Sequence, residues 1–99
     1  MLRHVVCLTF RDGTDPAEVA ALRDALAELP GRIPDIRAYA FGTDVGLATG
    51  NADFAVVADF DDEAGWRAYM EHPDHVRVRE ELVAPIVAER SAVQFEVPA

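Results

Sequence analysis

Residues 3–10 read RHVVCLTF. His4, Val6, Leu8 and Phe10 alternate with Val5, Cys7 and Thr9, so a strand here carries apolar side chains on both faces. A strand at the edge of a solvated sheet keeps one face polar; one with two apolar faces needs cover on both sides. One cover must come from helices of the same chain. The other has to come from elsewhere, and a second copy is the simplest source.

Working outward, DPAEVAALRDALAELPG begins with Asp15 as an N-cap and Pro16 at the first helical position. Val19, Leu22, Leu26 and Leu29 form one apolar stripe, and the spacing predicts a helix over about 16–29, stopped by Pro30-Gly31. A second strand is expected over about 35–42. FAVVADF, residues 54–60, is a third, with Phe54, Val56, Ala58 and Phe60 on one face. DDEAGWRAYMEH predicts a short helix that turns Trp66, Tyr69 and Met70 inward. Pro73 breaks it, because the residue before a proline avoids the α region. A further helix is expected over about 74–87, bent or ended by Pro85, and then RSAVQFEVP as a fourth strand. The order β-α-β-β-α-(α)-β predicts an α+β, ferredoxin-like, four-stranded antiparallel sheet with helices on one face. Residues 1–99 are expected to form one domain.

The chain carries 18 carboxylates against 9 basic residues, all of them arginine, for a net charge of −9. Such a balance repels nucleic-acid backbones and anionic membranes, so neither is expected as a partner. No leader or spanning segment is visible, and a cytoplasmic location is expected. Cys7 stands alone, which leaves no internal disulfide and no zinc cluster, and mid-strand burial makes it a poor nucleophile. No dinucleotide or P-loop motif is present, and no cofactor is expected.

The chemistry-bearing stretch is YMEHPDHVRV, residues 69–78. At 100° per residue, Leu82 and Ile86 fall within about 20° of His75, which turns His75 inward with the apolar stripe. Burial and a helix N-terminus both disfavour the imidazolium, leaving a neutral ring able to accept a proton. Tyr69, facing inward from the preceding helix, offers a phenol that can donate to a carbonyl or enolate oxygen. Each also has a purely structural reading, as a corner tie for His75 and as a core aromatic bonded to a backbone carbonyl for Tyr69. His4 shares the helix-facing side of the first strand with Val6 and Leu8. His72, just before Pro73, is expected to face outward or cap the helix. The two histidines straddle the proline break without a recognised zinc spacing, so no specific metal site is expected.

HVVCLTF, DFAVVADF and the W..Y..HP.H pattern over residues 66–75 together resemble the Dabb family, the stress-responsive A/B barrel domains. The resemblance covers nearly the whole chain. It implies a dimeric α+β barrel in which two sheets face each other and each subunit has a cleft between sheet and helices. Its olivetolic acid cyclase-type members imply Tyr69 and His75 as an acid/base pair, with His4 in the pocket. Those members carry a further pocket histidine on the third strand, where this chain has Phe54. The expected reading is a homodimer whose cleft, shaped by His4, Val6, Leu8, Phe54, Leu82 and Ile86, takes a small apolar or phenolic ligand. The alternative is a cofactor-free polyketide cyclase, lyase or oxygenase-like enzyme working through Tyr69 and His75.

Overall fold

A computed structural model describes residues 1–98. Strand β1 (Leu2–Phe10) leads into α1 (Pro16–Arg32), β2 (Ala38–Thr43), β3 (Phe54–Phe60), α2 (Glu63–Glu71), α3 (Pro73–Val78), a π-helical turn (Arg79–Val83) and β4 (Val87–Glu96). The strands pair antiparallel in the order β2-β3-β1-β4, which places the doubly apolar β1 inside the sheet. This is the ferredoxin-like arrangement that the order of elements predicted.

Three boundaries differ from expectation, each for a local reason. Helix α1 runs past Pro30 to Arg32. A proline near the end of a helix forfeits one backbone bond, while continuing brings Ile33 to full burial. The stop is set at Ile33, which precedes Pro34 and is extended (φ −119°, ψ 97°) with its N–H on the Leu29 carbonyl. Strand β2 starts at Ala38, because Pro34–Arg37 is occupied by a turn in which the Arg37 guanidinium bonds the Pro34 carbonyl at 2.7 Å. The last helix does not reach residue 87. It widens at Arg79, where the Ala84 N–H bonds the Arg79 carbonyl five residues back, and β4 begins at Val87. Pro85 has no N–H and its ring crowds the carbonyl four residues earlier, so an ordinary α-turn cannot close there.

The register sorts the sheet into two faces. Toward the helices point His4, Val6 and Leu8, opposite Ala58, Val56 and Phe54 on β3 and Gln94, Ala92 and Arg90 on β4. Leu8, Val56, Ala58 and Phe54 build the core with Leu22, Leu26, Leu29, Ile33, Phe60 and Tyr69, whereas Gln94, Ala92 and Arg90 on β4 stay exposed. The other face carries Val5, Cys7, Val57, Ala40 and Val93 in adjoining rows, with Phe95 near one end. No element of the described residues covers it: Val93 and Phe95 remain 54% and 45% exposed. On this face Arg3 and Asp59 form a two-pronged ion pair at 2.8 and 2.9 Å, which holds the Asp59 carboxyl below its usual range.

Candidate functional site

A cavity of about 50 Å³ lies between the sheet and the helices. His4, Val6, Leu8 and Val56 form its floor, Leu22 and Leu26 of α1 one wall, and Tyr69, Met70, His75, Val78, Arg79 and Val83 its roof, with Arg90 from β4 at the side. Proline geometry builds the roof. His72 precedes Pro73 and is extended (φ −63°, ψ 131°), and its Nδ1 accepts the Asp74 N–H at 3.1 Å, so it caps α3. That sharp corner folds α3 back on α2 and lays the His75 ring on the Tyr69 ring, centroids 3.9 Å apart and planes 31° apart.

His75 is 6% exposed, and its Nδ1 is buried without a hydrogen-bond partner among the described residues. Burial is the main reason its pKa is pulled down to about 4; the positive charge of Arg79, then His4 and Arg90, adds to it, while a hydrogen bond with the Met70 backbone, too poorly aligned to satisfy Nδ1, opposes. The ring is therefore neutral at pH 7. His4 is also buried and shifted downward, first by burial and then by Arg90. Its Nδ1 lies 2.8 Å from the Gln94 side-chain nitrogen. An amide nitrogen only donates, so Nδ1 accepts and the His4 proton sits on Nε2.

Tyr69 bonds neither a backbone carbonyl nor His75. Its hydroxyl lies 2.8 Å from the hydroxyl of Tyr39 on β2. Burial pushes Tyr69 up to about 12, with the Tyr39 hydrogen bond and Arg79 acting against it, and burial raises Tyr39 further. Both hydroxyls therefore keep their protons at neutral pH, and either can donate in this bond. Replacing Tyr39 with Phe leaves the Tyr69 hydroxyl buried without this partner, and the expected cost is about 1–2 kcal/mol in urea unfolding. An unchanged midpoint would show that the two hydroxyls do not bond.

The structure brings Tyr69, His75, His4, Val6 and Leu8 around one space, and leaves out three residues expected there. Phe54 packs at the far end of the sheet between Phe10 and Phe41, with centroids at 6.0 and 6.4 Å. Leu82 faces a separate groove against α1, with Ala25, Leu29 and Val78. Ile86 is buried in the core, 3% exposed, beyond the helix end. For the last two the reason is helical phase: the wide turn at Arg79–Val83 breaks the 100° count and brings Val83 to the cavity instead, beside Val78 and Arg79, which share the His75 face at three and four residues' distance. Gln94, Tyr39, Arg79 and Arg90 were not anticipated. Strand pairing was the one usable signal for the first two, since Gln94 stands opposite His4 and Tyr39 opposite Ala58.

Residues 2–97 match the family model of the stress responsive A/B barrel domain. The chain belongs to the Dabb family. Among solved structures similar to this Dabb chain is a dimeric ferredoxin-like protein of Thermobifida fusca, 48% identical, with a TM-score of 0.90 over 97% of this chain and 90% of that one. A stress-response A/B barrel domain-containing protein of Arabidopsis thaliana is 26% identical over 77 residues, 76% of this chain and 71% of the relative. A hydroxynitrile lyase of Passiflora edulis shares the fold at 15% identity, with a TM-score of 0.85 over 98% and 93% of the two chains.

Proposed function

We propose that this Dabb protein is a homodimer, joined through the open sheet face, that binds a small, largely apolar molecule bearing one hydrogen-bonding oxygen. One observation carries the ligand reading: a neutral imidazole lines an otherwise mostly apolar cavity with a buried ring nitrogen left unpartnered. A buried nitrogen without a partner costs about 1–3 kcal/mol, which a ligand recovers once a small shift of the ring turns that nitrogen toward the cavity. The dimer reading rests on the uncovered apolar face and on the dimeric relative from Thermobifida fusca.

The cavity's volume limits the ligand. A cavity that takes benzene measures roughly 150 Å³, about three times the 50 Å³ available. Only the end of a short alkyl chain fits the resting shape, the rest of a four-carbon molecule lying in the open mouth, and a ring or polyketide would have to lift the roof at Met70, Arg79 and Val83. Titration of the labelled protein with 1-butanol or butanone is expected to give saturable NMR shifts at Val6, Val56, Tyr69 and Val83. Val56→Phe, which plugs the space, is expected to abolish them, and His75→Phe to weaken binding about tenfold. Shifts that never saturate, or that persist in the plugged variant, overturn the reading.

A second reading, cofactor-free acid/base catalysis, is favoured by the same nitrogen, since it lies on the ring stacked against Tyr69. His75 would take a proton from the carbon next to a carbonyl, and the Tyr69 O–H would donate to the resulting enolate oxygen. Exchange of butanone's α-hydrogens for deuterium, faster with the native chain than with H75F, is its test. Equal rates remove it.

A further inference from the structure

Carboxylates outnumber arginines two to one in this chain, 18 to 9. Most arginines accordingly find an acid. Arg3 pairs with Asp59, Arg32 with Glu28 and Asp74, Arg37 with Asp61, Arg67 with Glu63, and Arg77 with Asp74. Among the described residues Arg11, Arg23, Arg79 and Arg90 have no ion pair, and of these Arg79 and Arg90 line the His75 cavity.

Neither position is an accident of a free side chain. Arg79 opens the wide turn, and its guanidinium is held by the Met70 carbonyl at 2.8 Å and lies 4.0 Å from the Met70 sulfur. That leaves most of its five N–H donors uncommitted. Arg90 stands opposite Leu8 in the β1–β4 register, so it projects on the helix side of the sheet. It is exposed and Arg79 half-buried, while His4, His75 and Tyr69 are buried, so the two guanidiniums mark the mouth and these two imidazoles the interior. Every charged side chain that shifts the three buried groups is positive: Arg79 and Arg90 act on His75, Arg90 on His4, and Arg79 on Tyr69. In an acidic protein this is a local inversion of field, and it is aimed into one apolar space.

We propose that the ligand is a short-chain carboxylic acid, its carboxylate held by Arg79 and Arg90 at the mouth and its alkyl chain directed inward past Val6 and Val83 toward His75. This rests on the cavity being a binding site and names the chemical class it takes. Planar guanidinium groups suit a carboxylate because two parallel N–H bonds match its two oxygens.

The test is a matched set of probes, butanoate, 1-butanol and butylamine, with acetate as a control that lacks the chain, titrated into the dimer at low ionic strength. Butanoate is expected to bind at least about tenfold tighter than butanol, and acetate and butylamine to bind weakest. Salt near 1 M, where the Debye length falls to about 3 Å, is expected to erase most of that advantage. Arg90→Gln is expected to weaken butanoate far more than butanol, and Arg90→Lys to restore part of the difference. Equal affinity for butanoate and butanol, or equal losses of both in R90Q, overturns the carboxylate assignment while the cavity reading stands. If no probe binds in a manner that Val56→Phe removes, both fall.

Discussion

Stability of the native chain is expected to fall by on the order of 3 kcal/mol as pH drops from 6.5 to about 4, through His75 alone. The sign follows from the direction of the shift. Folded His75 has a depressed pKa, so the fold holds the ring neutral while the unfolded chain takes up a proton below 6.5. Folding then excludes a proton that the unfolded state gains, and stability declines across that window. Once the folded ring also protonates, its contribution levels off. His4, shifted the same way by burial, adds to the slope. The ion-paired Asp59 and Asp61, lowered from 3.8 by Arg3 and Arg37, act only at more acid pH. Urea midpoints of the native chain and of His75→Phe, measured at several pH values, isolate the term. Phe keeps the stacking on Tyr69 and cannot titrate, so H75F should lose markedly less stability in acid. Parallel pH curves for the two proteins would mean that His75 is solvated.

The second large effect concerns association. Val5 lies at the middle of the open sheet face, flanked by Val57 on one side and Val93 on the other. An aspartate there meets water in a lone subunit, but in a face-to-face pair it would be buried twice, close to its own copy. An uncompensated buried charge costs about 3–5 kcal/mol, so Val5→Asp should raise the dimer dissociation constant at least about a hundredfold. Sedimentation at micromolar concentration should then report a monomer for the variant and a dimer for the native chain. Val93→Asp, at a site 54% exposed within the subunit, guards against a trivial result, because the fold tolerates a charge there more readily. If both variants remain dimeric at the native affinity, the copies meet elsewhere.

The fold was legible because its signals are local. Asp15-Pro16 and Asp62 mark helix starts, His72-Pro73 marks the corner, and the alternation of β1 and β3 states which faces are buried. Each depends on residues within a few positions of one another. The site was legible only as far as local signals reach: His4, Tyr69 and His75 could be turned inward from strand and helix phase. Its remainder comes from long-range register. Gln94 meets His4 across 90 residues, and Tyr39 reaches Tyr69 only because β2 pairs with β3. The misplacement of Leu82 and Ile86 has a single origin in Pro85. A proline near a helix end predicts a bend, and nothing nearby says that the chain will answer with a wider turn instead.

That wider turn has a structural consequence of its own. A loop of backbone with one surplus residue acts as a spacer, and here it holds Arg79 and Val83 over the hollow. Shortening the segment by one residue would restore an even spiral and swing the ceiling sideways, whatever side chains it bore. The shape of the hollow is thus encoded partly in chain length, and side-chain substitutions alone do not sample every way it can change.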